Sequence, residues 1–185
     1  SRLVQLLKLH RNVAFGGIGP GPDFSPRSVF ITDLAATAYA TRAPIAHDSP
    51  LDLLLDIVDT MPMFIQRHPL GGGGEHWVLP NMTAPGDNLA SGMNTPERQN
   101  AYFEWHARLK SDLELLLQCI EQRQGLDQLL KIVQSTFGSR AAKAVQELEA
   151  TRQVQPIGRR IVTVGTAAAA TAISMPTRSH SFYAD

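Results

Sequence analysis

Leu3-Val4-Gln5-Leu6-Leu7-Lys8-Leu9-His10-Arg11 and Ser28-Val29-Phe30-Ile31-Thr32-Asp33-Leu34-Ala35-Ala36 stand near the start of the chain, separated by a loop rich in glycine and proline. In the first stretch Leu3, Leu6, Leu7 and His10 recur at i, i+3, i+4 and i+7, the spacing that puts four side chains on one face of an α-helix. Lys8 lies near the edge of that face, and a helix over residues 2–11 is expected. The run Gly16-Gly17-Ile18-Gly19-Pro20-Gly21-Pro22 cannot continue it, because glycine is costly in a helix and proline lacks the amide donor. A second helix is expected over residues 26–41, with Ser25 as its cap and Pro26 in its first turn. Ile31, Leu34, Ala35 and Ala38 form its apolar stripe.

Working outward, Ser49 followed by Pro50 opens a third helix over 51–61, with Leu51, Leu54, Leu55 and Val58 on one face. Pro62 is expected to kink or end it, and residues 63–67 to continue as another turn. From 69 to 94 the composition shifts to glycine, proline and asparagine, with four consecutive glycines at 71–74. This reads as a long surface excursion in which Glu75-His76-Trp77-Val78-Leu79-Pro80 suits a short strand. Thr95-Pro96-Glu97-Arg98 combines cap, first-turn proline and early acidic residue, and opens a long helix to about 122 carrying Tyr102, Trp105, Leu109, Leu113 and Leu116 on a broad apolar face. Gly125 breaks the pattern. A helix over 126–137 is expected to end at Gly138 as a left-handed cap, and Ser139 to cap a last helix to about 151. The fold class is mainly α with a single short strand pair. Residues 1–155 form one helical lobe, and residues 156–185 an extended or mobile tail.

The chain has 185 residues, 43% of them hydrophobic, enough for a substantial core. Seventeen basic and seventeen acidic residues cancel, so no global field draws the protein to nucleic acid or to an anionic membrane, and any polyanion site must be local. Nucleic acid and membrane are therefore not expected partners. The one cysteine, Cys119, lies in an apolar stretch with no disulfide partner, which points to a reducing cytoplasm. The chain opens at Ser1 without a charged-then-apolar leader, and this beginning also fits a truncated protein. The longest uncharged run, residues 161–177, is interrupted by Thr163, Gly165, Thr166, Thr171 and Ser174 and falls short of the roughly 20 residues of a membrane helix.

Several chemistries find little support in the residue pattern. The six histidines, at 10, 47, 68, 76, 106 and 180, show no HxxxH or HExxH spacing and no cysteine partner, so zinc is not expected. His68 and His76 flank the glycine run and could approach each other. That run lacks a following Gly-Lys-Ser/Thr and is no phosphate loop, and no GxSxG element is present. Asp52 and Asp56 share a helix face with Asp59 a turn further on; they could meet a cation, or simply face solvent. Trp105, among leucines, reads as core, whereas Trp77 is open between core and base stacking.

Leu6-Leu7-Lys8, then Pro26-Arg27-Ser28 and Thr32-Asp33-Leu34-Ala35-Ala36, then Val78-Leu79-Pro80-Asn81 and Asp87-Asn88-Leu89-Ala90, Phe103-Glu104-Trp105, Thr136-Phe137-Gly138 and His180-Ser181-Phe182-Tyr183 succeed one another along the chain. In order and spacing they resemble the C-terminal half of the bacterial relatives of cyclic GMP-AMP synthase and oligoadenylate synthase, the dinucleotide cyclase-like nucleotidyltransferases of the polymerase-β-like superfamily. Two departures stand out: Met82 comes after Asn81 where the family usually has proline, and Leu89 replaces a usual phenylalanine.

The resemblance implies a helical C-terminal lobe that binds nucleotide for an enzyme making cyclic oligonucleotide second messengers from nucleoside triphosphates in antiphage defence. It implies that Lys8 and Ser28 contact the triphosphate, as suits an ammonium, a hydroxyl and the free amides of a helix start. The plain alternative is Lys8 as a solvated helix side chain and Ser28 as a turn residue. Arg11 and Arg27 could add charge beside them. Val29 and Phe30 stand where eukaryotic relatives have a base-stacking tyrosine, though a core role suits Phe30 better. The family's Gly-Ser and Asp-any-Asp pattern is absent from this chain, so its two Mg²⁺ ions are expected on carboxylates upstream of Ser1, with no catalytic residue here and no activity alone. The tail at 180–185 could engage a regulatory protein, or pack back through Phe182 and Tyr183. Two rival functions remain: a stand-alone helical interaction module without catalysis, and a synthase of linear oligonucleotides.

Overall fold

Ser49 and Thr95 show how local chemistry starts this fold. The Ser49 hydroxyl accepts the Asp52 amide at 3.1 Å, and the Thr95 hydroxyl accepts the Arg98 amide at 3.4 Å, each ahead of a proline that has no amide to satisfy. The computed structural model describes residues 2–17 and 22–154, and the readings of the tail and of residues 18–21 lie outside it. Its helices are α1 (Arg2–Phe15), α2 (Ser28–Arg42), α3 (Pro50–Thr60), α4 (Pro96–Glu121), α5 (Leu126–Phe137) and α6 (Ser139–Val154). A 3₁₀ turn at Met61–Phe64 leads into strand β1 (Gln66–Pro69), which pairs antiparallel with β2 (Glu75–Val78). The protein is a mainly α-helical domain carrying one hairpin.

Four boundaries differ from expectation. Helix α1 continues past Arg11 to Phe15, since Asn12 to Phe15 contains no breaker. It stops where a side chain at Gly16 would meet the Asn12 carbonyl. Helix α2 begins at Ser28, and Ser25 is not its cap. Arg27 takes the cap position in extended conformation without a side-chain bond, while the Ser25 amide is bound by the Asp23 carboxylate at 2.8 Å. Residues 66–67 are strand rather than turn, because the chain becomes extended at Ile65 once the 3₁₀ turn ends. Gly138 has φ 89°, as a glycine cap should, but ψ 168° makes it an extended glycine conformation rather than a left-handed helical one. Ser139 is then the first residue of α6, and Gly138 supplies the carbonyl that accepts the Ala142 amide.

The largest correction concerns residues 69–94. The glycines at 71–74 do form an open turn, with positive φ at Gly73 and Gly74 closing the hairpin, and residues 82–87 are exposed as a surface excursion should be, but 77–79 and 88–93 on either side of them dock on the helices. Trp77, Ala90 and Met93 are wholly buried and Leu79 nearly so. Two asparagines hold this segment. The Asn94 side chain accepts the Trp77 amide at 2.6 Å and donates to the Trp77 carbonyl at 3.0 Å. The Asn88 side chain accepts the Leu79 and Ala90 amides and donates to the same Trp77 carbonyl. Trp77 is thereby core, stacked on Phe30 at 6.0 Å and edge-on to Tyr102 at 5.7 Å, and Phe30 belongs to that core as well. These rings tie the loop to α2 and α4, while α5 packs on α1, α4 and α6. Trp105 is core as the sequence indicates, and His10 is buried with it.

Candidate functional site

The start of α2 is where cationic side chains gather. Arg11 of α1 donates to the Pro26 carbonyl at 3.2 Å, and Arg98 of α4 donates to the Ser25 carbonyl at 3.4 Å. The Arg27 side chain lies over Gly92, where an added Cβ would stand 3.3 Å from its Cγ and Nε. Asp23, tied to the hydroxyl and amide of Ser25 and near Arg98 and Arg11, has its carboxyl held below the usual range. Ser28 opens α2, half-buried, and its carbonyl accepts the Thr32 hydroxyl at 2.7 Å. Among the described residues no side chain caps this helix, and the amides before Ile31, whose own amide bonds the Arg27 carbonyl, have no intrahelical acceptor.

Lys8 is placed differently. It is half-buried in a groove of about 480 Å³ between α1 and α6, with Gln5, Asn12 and Arg140 on the walls. No hydrogen bond or ion pair joins Lys8 to Ser28 among the described residues, and it is Arg11, three residues on, that reaches the α2 approach. Arg98 is a cation that the sequence does not single out. It reaches Ser25 across 73 positions of the chain, a separation no local pattern reveals.

The carboxylates on α3 are committed elsewhere. Asp52 accepts the Ser49 hydroxyl at 2.6 Å, Asp56 pairs with His47 at 3.0 Å and Arg42 at 3.5 Å, and Asp59 pairs with Lys110 at 2.8 Å. Among the described residues no group of three or more His, Cys, Asp or Glu side chains could hold a metal ion. The described residues thus offer no Mg²⁺ site of their own, and the carboxylates that the resemblance implies are expected upstream of Ser1. His68 and His76 do face each other, as register partners across the hairpin. Among the described residues no helix is long and apolar enough to cross a membrane.

The buried His10 and the half-buried His106 have different partners. His10 Nε2 stands 3.0 Å from Asp112 Oδ2, and its Nδ1 has no partner; burial lowers its pKa, and Asp112 only partly offsets this. His106 Nε2 donates to the Val58 carbonyl at 2.7 Å, and burial lowers it too. His47 is raised, chiefly by its bond to Asp56. Two other grooves mark the surface. An apolar one of about 470 Å³ runs between α1, α2 and α3 past Leu3, Leu6, Tyr39 and Leu53, and one of about 290 Å³ lies between α2 and the loop at 81–89.

No protein-family model matches the chain, and no curated protein shows significant similarity to it.

Proposed function

We propose that this chain is the nucleotide-binding C-terminal lobe of a nucleotidyltransferase that makes cyclic oligonucleotides from nucleoside triphosphates in antiphage defence. The observation that supports it is the convergence of Arg11, Arg27 and Arg98 on an uncapped helix start at Ser28. Free helix-start amides and guanidinium groups are what a phosphate chain needs, since both offer fixed donors to anionic oxygens. Arg11 gives one terminal nitrogen to the Pro26 carbonyl and the other to Asn12 Oδ1, and Arg98 gives one to the Ser25 carbonyl; these bonds fix both guanidinium groups and leave their remaining N–H groups, most of them on Arg98, for a ligand. Lys8 lies in the groove between α1 and α6, beside Arg140, and its contact with the triphosphate is carried over from the resemblance alone. The work of this lobe is to bind and orient. Metal ions and the carboxylates that hold them are assigned to another part of the enzyme.

The test is expression of the complete reading frame containing this chain, incubation with Mg²⁺ and the four ribonucleoside triphosphates, and assay for phosphatase-resistant products. Lys8→Ala and Ser28→Ala are each expected to cut product at least tenfold with unchanged thermal melting. A wild-type protein yielding no such product, or variants as active as wild type, sinks the reading. Linear rather than cyclic product would assign the oligoadenylate type instead. The apolar groove between α1, α2 and α3 favours a second reading, a helical interaction module, which an inactive full-length protein would leave standing.

A further inference from the structure

The groove between α2 and the loop at 81–89 holds one carboxylate, Asp33, that has no protein partner among the described residues. On the helix side stand Val29, Thr32 and Asp33, and on the loop side Asn81, Met82 and Thr83. The Thr32 hydroxyl is spent on the Ser28 carbonyl at 2.7 Å. Asn81 accepts the amide and the hydroxyl of Thr83 at 3.0 and 2.7 Å, and donates to Asp87 at 3.1 Å. Asp33 is half-buried, and among the described residues no donor reaches its carboxylate. Around it the walls are apolar and open: Val29 is 53% and Met82 88% exposed.

A carboxylate with two free oxygens, partly withdrawn from water, is best satisfied by two adjacent N–H donors in one plane. Val29 and the Met82 thioether offer surfaces for the face of a flat ring. Of the four RNA bases, only guanine carries two neighbouring donors, N1–H and N2–H, on one edge. Adenine and cytosine place an acceptor beside their amino group, and uracil flanks its single N–H with two carbonyls, so each would set a lone pair against the carboxylate. Asp33 lies five residues beyond Ser28, about 7.5 Å along the axis of α2, a span that a nucleoside covers when its phosphates sit at the helix start. We infer that this groove is a base-recognition site for a guanine nucleotide, with Asp33 as its specificity-determining residue. The inference rests on the proposed phosphate site at Ser28 and adds the identity of the base.

Titration of the 185-residue chain with inorganic tripolyphosphate, GTP and ATP, monitored by calorimetry, separates the two. GTP is expected to bind at least tenfold more tightly than ATP. Asp33→Asn should bring GTP down to the ATP level while leaving tripolyphosphate binding and the melting temperature unchanged. Met82→Ala, at an exposed position, should weaken both nucleotides without altering their ratio. Equal binding of GTP and ATP by the wild type, or a preference that survives Asp33→Asn, overturns the guanine site. If tripolyphosphate still binds and is lost in Ser28→Ala, the phosphate reading stands without it. Absence of tripolyphosphate binding overturns both.

Discussion

His10 is 1% exposed, with one ring nitrogen on Asp112 and the other on nothing. Protonation would place an N–H on the unpartnered side, among Trp105 and Phe137, so the folded protein resists it. The folded pKa lies below the ordinary 6.5, and the same sign holds for His106. Their stabilising effect is complete above 6.5 and is lost as the pH falls below it, because the unfolded chain takes up the protons first. His47 has the opposite sign: its folded pKa is raised by Asp56, so its contribution is present below 6.5 and fades as the pH rises through the folded value. Two groups of the first sign, His10 and His106, stand against one of the second, His47, and the urea midpoint should fall between pH 7 and pH 5. His10→Gln should flatten that dependence; an unchanged slope would show that His10 does not carry it. Little of this is legible in the sequence. The i, i+7 spacing places His10 on the apolar face, but its partner Asp112 lies 102 positions away.

At the scale of elements, the segment after β2 depends on side-chain amides in place of a sheet. Asn88 satisfies three backbone groups and Asn94 two. Removing a partner from a buried backbone group costs about 1–3 kcal/mol, so Asn88→Ala should lower unfolding stability by roughly 2–4 kcal/mol. Asn88→Asp, which keeps the acceptor oxygens and loses the donor to Trp77, should cost less. Chemical denaturation checks the order, and equal losses would mean that the donor bond dominates. The helix starts at Ser49 and Thr95 are readable because a cap acts within three residues. The docking of 77–79 and 88–93 is not, because glycine, proline and asparagine look the same in a free loop and in one whose amides are bound by its own side chains. The start of α2 departs from its sequence pattern for a related reason. Ser25 and Pro26 have the right composition for a cap, but Asp23 and Arg98 hold the Ser25 amide and carbonyl in a different conformation.

Across the whole molecule, helix count and order come from apolar periodicity, whereas the way α2, the hairpin loop and α4 close on one another depends on Phe30, Trp77 and Tyr102 meeting as rings. Such meetings join residues 30, 77 and 102 and leave no trace in any local window. The candidate phosphate site is partly legible: Lys8, Ser28, Arg11 and Arg27 are all named in the sequence, but Lys8 lies in the groove between α1 and α6 and Arg98 enters only through the fold. Because the three rings form one cluster, Trp77→Ala should remove about 3–5 kcal/mol and lower near-UV and far-UV melting together. Two separated transitions would show that the hairpin loop unfolds independently. The glycine turn has a practical consequence. At Gly71 and Gly72 an added side chain would meet nothing within 4 Å, and neither has positive φ, while the chain's single thiol, Cys119, is buried. A cysteine introduced at position 72 is thus the one sulfhydryl open to a maleimide dye, giving a fluorescent handle on the rim of the protein with which to watch ligands arrive.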